Sequence, residues 1–195
     1  MEGRWALVLS AALALAATGC ASKPARFYTL ESTATGSDGP PVHYAVVVGP
    51  VSIPASVDRP EMVVQLAPNQ VRVDEFNRWA APLNDAIARA VAGNLLTLLG
   101  TPDVATAPSA NLPTAYRVTL DVQRFESGPG QTVLVDAIWA VSKPAGGRAR
   151  SGRTSSREAA QGDGFDALAA AHSRALAQVS NDIATAVRAV ASTKP

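Results

Sequence analysis

Apolar residues recur along this chain with two different spacings, and the spacings predict its secondary structure. Short runs rich in β-branched residues, bounded by Gly, Pro, Asn or Ser, favour strands. They predict strands at 27–30, 44–51, 62–66, 70–74, 115–125, 132–141 and 148–158. Pro68 and Asn69 lie between two of these strands and predict a hairpin turn.

Two longer segments repeat apolar residues every three or four positions, which is typical of one face of a helix. The first helix is predicted at 82–99, with Pro82 in its first turn and Gly100 as a stop signal. The second follows Asp163, an expected N-cap, and its apolar face comprises Phe165, Leu168, His172, Leu176, Val179, Ile183, Val187 and Val190. Together the elements predict an α+β fold, an antiparallel β-sheet with two long helices packed on one face.

The amino-terminal segment has a different pattern from the rest. Arg4 is followed by an almost wholly apolar run, Ala6 to Ala17, broken only by Ser10. This run is too short to span a bilayer, which takes roughly 20 apolar residues. A charged start, a short apolar run and small residues at its end are typical of a secretory signal peptide. Residues 1–19 are therefore predicted to be removed.

Cys20, the only cysteine, follows this run directly. The stretch Ala17-Thr18-Gly19-Cys20 resembles the lipobox of bacterial lipoproteins, which implies that Cys20 becomes the acylated amino terminus of the mature chain. Several acyl chains on one residue give stable membrane attachment. Ala21 and Ser22 replace the aspartate that retains such proteins in the inner membrane, so the resemblance implies an outer-membrane lipoprotein facing the periplasm of a Gram-negative bacterium.

The remaining chain is predicted to be one domain, 27–195, joined to Cys20 by a short tether, 20–26. With a single cysteine the fold has no disulfide and depends on its core. The net charge of +1 gives no general attraction to nucleic acid or to acidic membranes, and export excludes nucleic acid as a partner. The seven tether residues span at most about 24 Å when extended, which holds the domain close to its membrane.

Candidate catalytic or metal-binding groups are scarce in the sequence. His43 and His172 have no partner at metal-ligand spacing, and His172 on an apolar face is interpreted as a core histidine. Asp74 and Glu75 are adjacent on a predicted strand and would point to opposite faces, unlike a catalytic carboxylate pair. These observations predict a protein that is not an enzyme and has no cofactor or metal.

One basic cluster comprises Arg148, Arg150, Arg153 and Arg157. Gly and Ser separate these residues, and no aromatic residues lie among them. A solvated strand or loop is the favoured interpretation, with contact to lipid head groups or to an acidic partner as the alternative.

Three stretches carry a family resemblance: RFYTL at 26–30, VVVGPVSIPASVDRPEMVVQ at 46–65 and EFNRWAAPL at 75–83. With AYRVTLDVQRFE at 115–126 they resemble the PqiC/YmbA family of ABC-type transport auxiliary lipoproteins. The resemblance implies a non-enzymatic outer-membrane subunit of an MCE-type, ABC-linked system that moves lipids between membranes. It also implies a homo-oligomeric ring that docks the tube of an MCE-domain protein. Ala81 replaces an acidic residue common in relatives.

Six residues in these motifs form the candidate partner or subunit surface: Asp58, Arg59, Pro60, Arg78, Trp79 and Pro82. A structural role is also open for them, because Asp58 and Arg59 are able to pair and a large aromatic beside a helix start usually packs in the core. The alternative function is an independent periplasm-facing lipid- or ligand-binding lipoprotein. A large apolar cavity between sheet and helices would favour that alternative, whereas a solid core with apolar surface at 52–83 would favour the adaptor.

Overall fold

The computed structural model describes residues 23–36, 39–107, 115–128, 131–144, 146 and 149–192. The predicted signal peptide, Cys20 and Arg148 lie outside these residues. The strands are β1 Arg26–Tyr28, β2 Ala45–Ser52, β3 Glu61–Ala67, β4 Gln70–Trp79, β5 Val104–Ala105, β6 Ala115–Gly128, β7 Thr132–Ser142 and β8 Arg150–Ala159. The helices are α1 Leu83–Leu99 and α2 Phe165–Ser192.

All eight strands belong to one sheet, which is organised around β6. Strands β7 and β8 extend the sheet on one side of β6. On its other side β6 pairs with β2 along its first half and with β3 near its end, where Val64 is in register with Ser127. Strands β4 and β1 continue outward from β3. The long strand β6 thus joins two smaller regions of the sheet.

The α+β fold class is confirmed, and the sheet is mixed where the sequence predicts an antiparallel one. The β3–β4, β6–β7 and β7–β8 pairs are antiparallel, as their short connections require. The β1–β4, β2–β5, β2–β6 and β3–β6 pairs are parallel. Each parallel pair joins strands that are distant in sequence or separated by a helix. Alternation along one strand indicates its buried face but not the direction of its neighbour.

Both helices cover the same face of the sheet and contact each other. The β7 side chains that point to this face are buried: Val133, Val135, Ala137, Trp139 and Val141. The apolar faces predicted for the two helices supply the other side of one continuous core, from Leu83 to Leu99 and from Leu168 to Val190. The predicted packing of both helices against one face is confirmed.

The helix ends follow the sequence signals with small differences. Pro82 is the N-cap of α1, one position before the expected first turn, and its carbonyl accepts the N–H of Ala86 at 3.0 Å. Gly100 ends α1 in the left-handed conformation, with φ 63°, and donates its N–H to Leu96 O at 3.1 Å. Helix α2 begins at Phe165, so Asp163 lies two residues before it and is not its N-cap.

The segment after β1 crosses the pair of helices as an extended strap, residues 29–36. Buried Asn94 of α1 accepts the N–H groups of Thr33 and Ala34, both at 2.9 Å, through its Oδ1. Its amide donates to Ser180 Oγ of α2 at 3.2 Å. This one side chain therefore links the strap and both helices. Gly93 lies under the strap, where a side chain has no room. A Cβ at this position would come within 2.8 Å of Ser32 Cβ.

Candidate interaction surface

The motif stretches that carry the family resemblance meet in the structure around Trp79. The N–H of Trp79 donates to Pro60 O at 2.7 Å, and the N–H of Ala80 donates to Tyr28 O at 2.9 Å. Two consecutive peptide groups thus connect the end of β4 to the 53–60 loop and to β1. The three stretches are far apart in sequence, so their proximity is a consequence of the sheet order β1-β4-β3-β6.

The indole of Trp79 is buried and packs on two other rings. Its centroid lies 6.0 Å from that of Phe125 and 6.1 Å from that of His172, with steep interplanar angles of 70° and 76°. Such edge-to-face contacts are favourable beyond the apolar area they bury. The packing function considered for Trp79 therefore agrees with its surroundings.

His172 lies in the same cluster and is buried. Its ring is 3.0 Å from Ser127 Oγ through Nε2, and Nδ1 has no hydrogen-bond partner among the described residues. Burial lowers the pKa of His172 to about 3, so the ring is neutral at physiological pH. The interpretation of His172 as a core histidine agrees with this position, although only one of its nitrogens is paired.

The space enclosed in this cluster is very small. A cavity of about 10 Å³ lies between Trp79, Phe125, His172 and their neighbours. That volume is at the lower limit for a single water molecule. This part of the core is therefore packed solid and has no room for a lipid chain.

The charged motif residues form other contacts than the pairing considered as their structural role. An ion pair between Asp58 and Arg59 is absent from those of the described residues, and both side chains are exposed. Instead Arg78 Nη2 lies 3.2 Å from Glu61 Oε1, and Arg78 Nε donates to Glu75 O at 3.0 Å. The loop is held by backbone bonds, including Arg59 N–H to Val57 O at 2.9 Å. Asp58 and Arg59 thus face solvent.

An open cleft of about 130 Å³ lies beside the 53–60 loop. Its walls come from that loop, from β3 and β4 and from the last part of β6: Pro54, Ser56, Val57, Val63, Gln65, Val71 and residues 123–127. Apolar side chains continue from the cleft onto the surface, with Val71 59% exposed and Val73 37%. Val71 and Val73 are in register with Gln65 and Val63, so these four residues share one face of the hairpin.

The structure therefore brings the six predicted surface residues to one end of β4, but not all at the surface. Asp58, Arg59 and Pro60 are exposed beside the cleft, and Arg78 is partly exposed through its pair with Glu61. Trp79 is buried, and Pro82 is exposed at the start of α1. The sequence did not predict the cleft or the exposed valines, because the alternation in 70–74 indicates a face of the strand but not whether that face is exposed.

The basic cluster lies partly on β8, the edge strand opposite β1 in the sheet. Arg153 forms two hydrogen bonds to Asp136 of β7, at 2.8 and 2.6 Å. These bonds from Arg153 hold the pKa of Asp136 below its usual value. Arg150 and Arg157 are exposed on the same strand. The interpretation as a solvated strand agrees with these positions for the three arginines that the structure describes.

Membrane-spanning helices and metal-binding clusters are both absent from the described residues. Within the described ranges, no helix is long and apolar enough to cross a membrane. Over the same residues, no group of three or more His, Cys, Asp or Glu side chains is arranged to hold a metal ion.

Comparisons with known proteins agree with the motifs and the fold. Two solved structures match with a TM-score of 0.70 and 21% identity: an uncharacterized protein, over 84% of this chain and 98% of that chain, and a DUF330 protein from Xanthomonas campestris, over 86% and 100%. The PelC dodecamer from Paraburkholderia phytofirmans matches less well, with a TM-score of 0.41 and 17% identity over 78% of this chain and 91% of that chain. At these identities the likeness concerns the fold alone.

A comparison with curated proteins found no significant match. The family model of the ABC-type transport auxiliary lipoprotein component matches residues 28–184, which span strands β2 to β8, the last residue of β1, α1 and most of α2. The predicted resemblance is thereby confirmed: the chain belongs to the family of ABC-type transport auxiliary lipoprotein components.

Proposed function

We propose that this protein is a non-enzymatic auxiliary subunit of an MCE-type, ABC-linked system for lipid transport between membranes. It is anchored in the outer membrane by acyl chains on Cys20, faces the periplasm and docks the tube of an MCE-domain protein as part of a homo-oligomeric ring. The family match supports the auxiliary role. The finer assignment of partner, membrane and assembly is our inference from the motifs and from the surface described above.

The observation that carries the proposal is the contrast between a closed core and an open apolar surface. The cavity at Trp79 measures about 10 Å³, whereas the cleft beside the 53–60 loop is open and continues into exposed Val71 and Val73. A subunit that binds another protein needs such a surface, while a lipid carrier needs an enclosed apolar pocket of several hundred Å³. Two larger hollows, of about 310 Å³ beside Leu30 and about 340 Å³ beside Arg188, are open grooves at the surface and not enclosed pockets. The small cavity at Trp79 and the open form of the larger hollows therefore favour the adaptor over an independent ligand-binding lipoprotein.

We expect the cleft and its rim to contact protein. Interface centres are rich in apolar side chains that exclude water, with polar groups at the rim. Val71 and Val73 would supply the apolar centre, and Asp58 and Arg59 would supply the rim because neither is committed to an ion pair among the described residues. Val71 and Arg59 are thus the residues to change first.

The test is the mass in solution of the signal-cleaved domain with Cys20→Ser, measured by light scattering with and without the MCE-domain protein from the same organism. A ring-sized oligomer or a stable complex supports the proposal. A monomer that remains monomeric with the partner present contradicts it and redirects attention to a ligand inside the fold.

Matched variants locate the contact. Val71→Asp is expected to abolish the complex, whereas Ile138→Asp is expected to preserve it, because Ile138 is also an exposed apolar residue, on β7 away from the cleft. Arg59→Ala is compared in the same way with Arg157→Ala on the edge strand β8. If both members of a pair have equal effects, the cleft is not the contact surface.

A further inference from the structure

Lys23 of the tether lies beside an exposed aromatic ring on β4. Lys23 Nζ lies 5.7 Å from the centroid of the Phe76 ring, a cation–π contact. Phe76 is 36% exposed although it is a large apolar residue. This contact fixes where the tether leaves the domain.

A second exposed aromatic residue lies on the neighbouring strand. Phe27 is 63% exposed and is in register with Arg78, two positions beyond Phe76 on β4. Asn77 and Trp79 are buried, so the alternation along β4 points Phe76 and Arg78 to the outer side, where Phe27 also points. Arg26 is in register with buried Asn77 and points to the other face. The three residues Lys23, Phe27 and Phe76 are called the tether patch.

The backbone at Phe76 is held in place by the carboxylate of Asp74. Asp74 Oδ1 accepts the N–H groups of Phe76 at 3.1 Å and Asn77 at 3.0 Å, and also the side-chain amide of Asn77 at 2.8 Å. These bonds occupy the nearest carboxylate with groups of its own strand. Lys23 therefore supplies the positive charge beside the two aromatic rings of the tether patch.

Strand direction shows which end of the molecule the tether faces. Because β1 and β4 are parallel, the chain that precedes Arg26 runs alongside β4 toward the β3–β4 turn. Three peptide units separate Cys20 from Lys23, which limits the distance between their Cα atoms to about 11 Å. If Cys20 carries the acyl chains, Phe76 therefore lies close to the lipid surface.

We propose that the tether patch seats the domain on the bilayer, with Phe27 and Phe76 inserted among the lipid head groups and Lys23 against their phosphates. This inference rests on the proposed anchoring through Cys20. Aromatic rings bordered by cations are typical of membrane-interface contacts, where the side chain is partly apolar and the charge remains hydrated. The acyl anchor supplies the high local concentration that lets so small a patch bind, and the patch sets the orientation of the cleft.

The test uses the full lipidated mature protein on vesicles of phosphatidylethanolamine and phosphatidylglycerol. A nitroxide is attached at Arg78→Cys, on the outer side of β4 in register with Phe27, or, as a control, at Thr97→Cys near the end of α1. Thr97 is exposed, and Leu99 two positions further along accepts the N–H of Val42 through its carbonyl. The thioether on Cys20 leaves the introduced cysteine as the sole thiol. Flotation with the vesicles reports the anchor independently of the label.

The label at 78 is expected to be accessible to oxygen and protected from a nickel chelate, whereas the label at 97 is exposed to both. Adding Phe27→Ser and Phe76→Ser is expected to lower the protection at 78 to the level at 97 while flotation is unchanged. Equal accessibility at 78 and 97 in floating protein contradicts the membrane contact of the tether patch but not the anchor. Protection that persists in the unlipidated Cys20→Ser protein without vesicles shows that protein covers the patch, which also contradicts the membrane contact. Loss of flotation in the parent protein contradicts the anchor and the membrane contact together.

Discussion

The imidazole of His172 stacks on the phenyl ring of Phe125 with a centroid distance of 3.9 Å and an interplanar angle of 9°. The stack joins α2 to the end of β6, next to the indole of Trp79. With one ring nitrogen paired to Ser127 and the other unpaired, His172 is a polar group in an otherwise apolar cluster. The physical cost of charging it has a measurable consequence.

We predict that His172 makes the protein less stable as the pH falls below about 6.5. Its folded pKa is about 3, so between those values the unfolded chain binds a proton that the folded chain does not. By linkage the loss between pH 7 and pH 5 is about 2 kcal/mol in the free energy of unfolding. Urea unfolding of the wild type and of His172→Phe at both pH values measures it. Equal losses in the two proteins would show that His172 does not cause the effect.

Trp79 allows the structural and functional interpretations of one motif residue to be separated. Trp79→Ala is expected to cost about 3–5 kcal/mol in the free energy of unfolding, because it removes a buried ring from a solid cluster. Trp79→Phe should cost less and keep the binding of the MCE-domain partner. Arg78→Ala is the control, since its partly exposed pair with Glu61 is expected to contribute about 0–1 kcal/mol. A Trp79→Phe protein that is stable but does not bind would assign a contact function to the indole.

The helices and strands whose apolar residues recur at regular spacing were predictable from the sequence. The candidate interaction surface was not. Both helices and the hairpin around Pro68 lie where the apolar spacing indicates, because each buries a regular face. The two-residue strand β5 carries too short a pattern to detect. The parallel pairing of β2 with β6 brings together residues about seventy positions apart, and nothing local in the sequence encodes it.

The candidate surface shows the same limit. The motif residues Asp58, Arg59 and Pro60 are indeed neighbours of Trp79, and Trp79 is buried as the packing interpretation expects, but the sequence pattern did not indicate that Val71 is exposed. The bulge in the β3–β4 pairing after Asp74 changes the register between these residues. A simple alternation of inward and outward side chains therefore does not extend from Val71 to Trp79.

The strap across the helices gives a prediction that runs against helix propensity. Gly93→Ala would stabilise an isolated helix by about 1 kcal/mol. In this fold the new Cβ would lie 2.8 Å from Ser32 Cβ and 3.0 Å from Ser32 Oγ, so we expect a net loss of stability. Hydrogen exchange at the amides of Thr33 and Ala34 should accelerate, since both depend on Asn94 beneath the strap. Ser32→Gly in the same background should restore stability, and no recovery would place the strain elsewhere.

The indole of Trp139 leaves even less room for a side chain at the glycine opposite it in the sheet. Its Nε1 donates to Thr154 Oγ1 at 3.0 Å, and Thr154 Oγ1 donates to Asp182 Oδ2 of α2 at 2.6 Å. The ring therefore has little freedom to move, and a Cβ on Gly152 would come within 2.6 Å of its Cη2.

We predict that Gly152→Ala lowers the free energy of unfolding by about 1–3 kcal/mol, the usual cost of overpacking. Gly36→Ala is the matched control, because a Cβ there meets no atom within 4 Å, and it should change stability by less than about 0.5 kcal/mol. Urea denaturation of both variants, with and without Trp139→Leu, completes the test. If the indole is the obstacle, Gly152→Ala costs much less once Trp139 is replaced, because the shorter side chain leaves room for the methyl group. Full additivity of the two substitutions would contradict the contact.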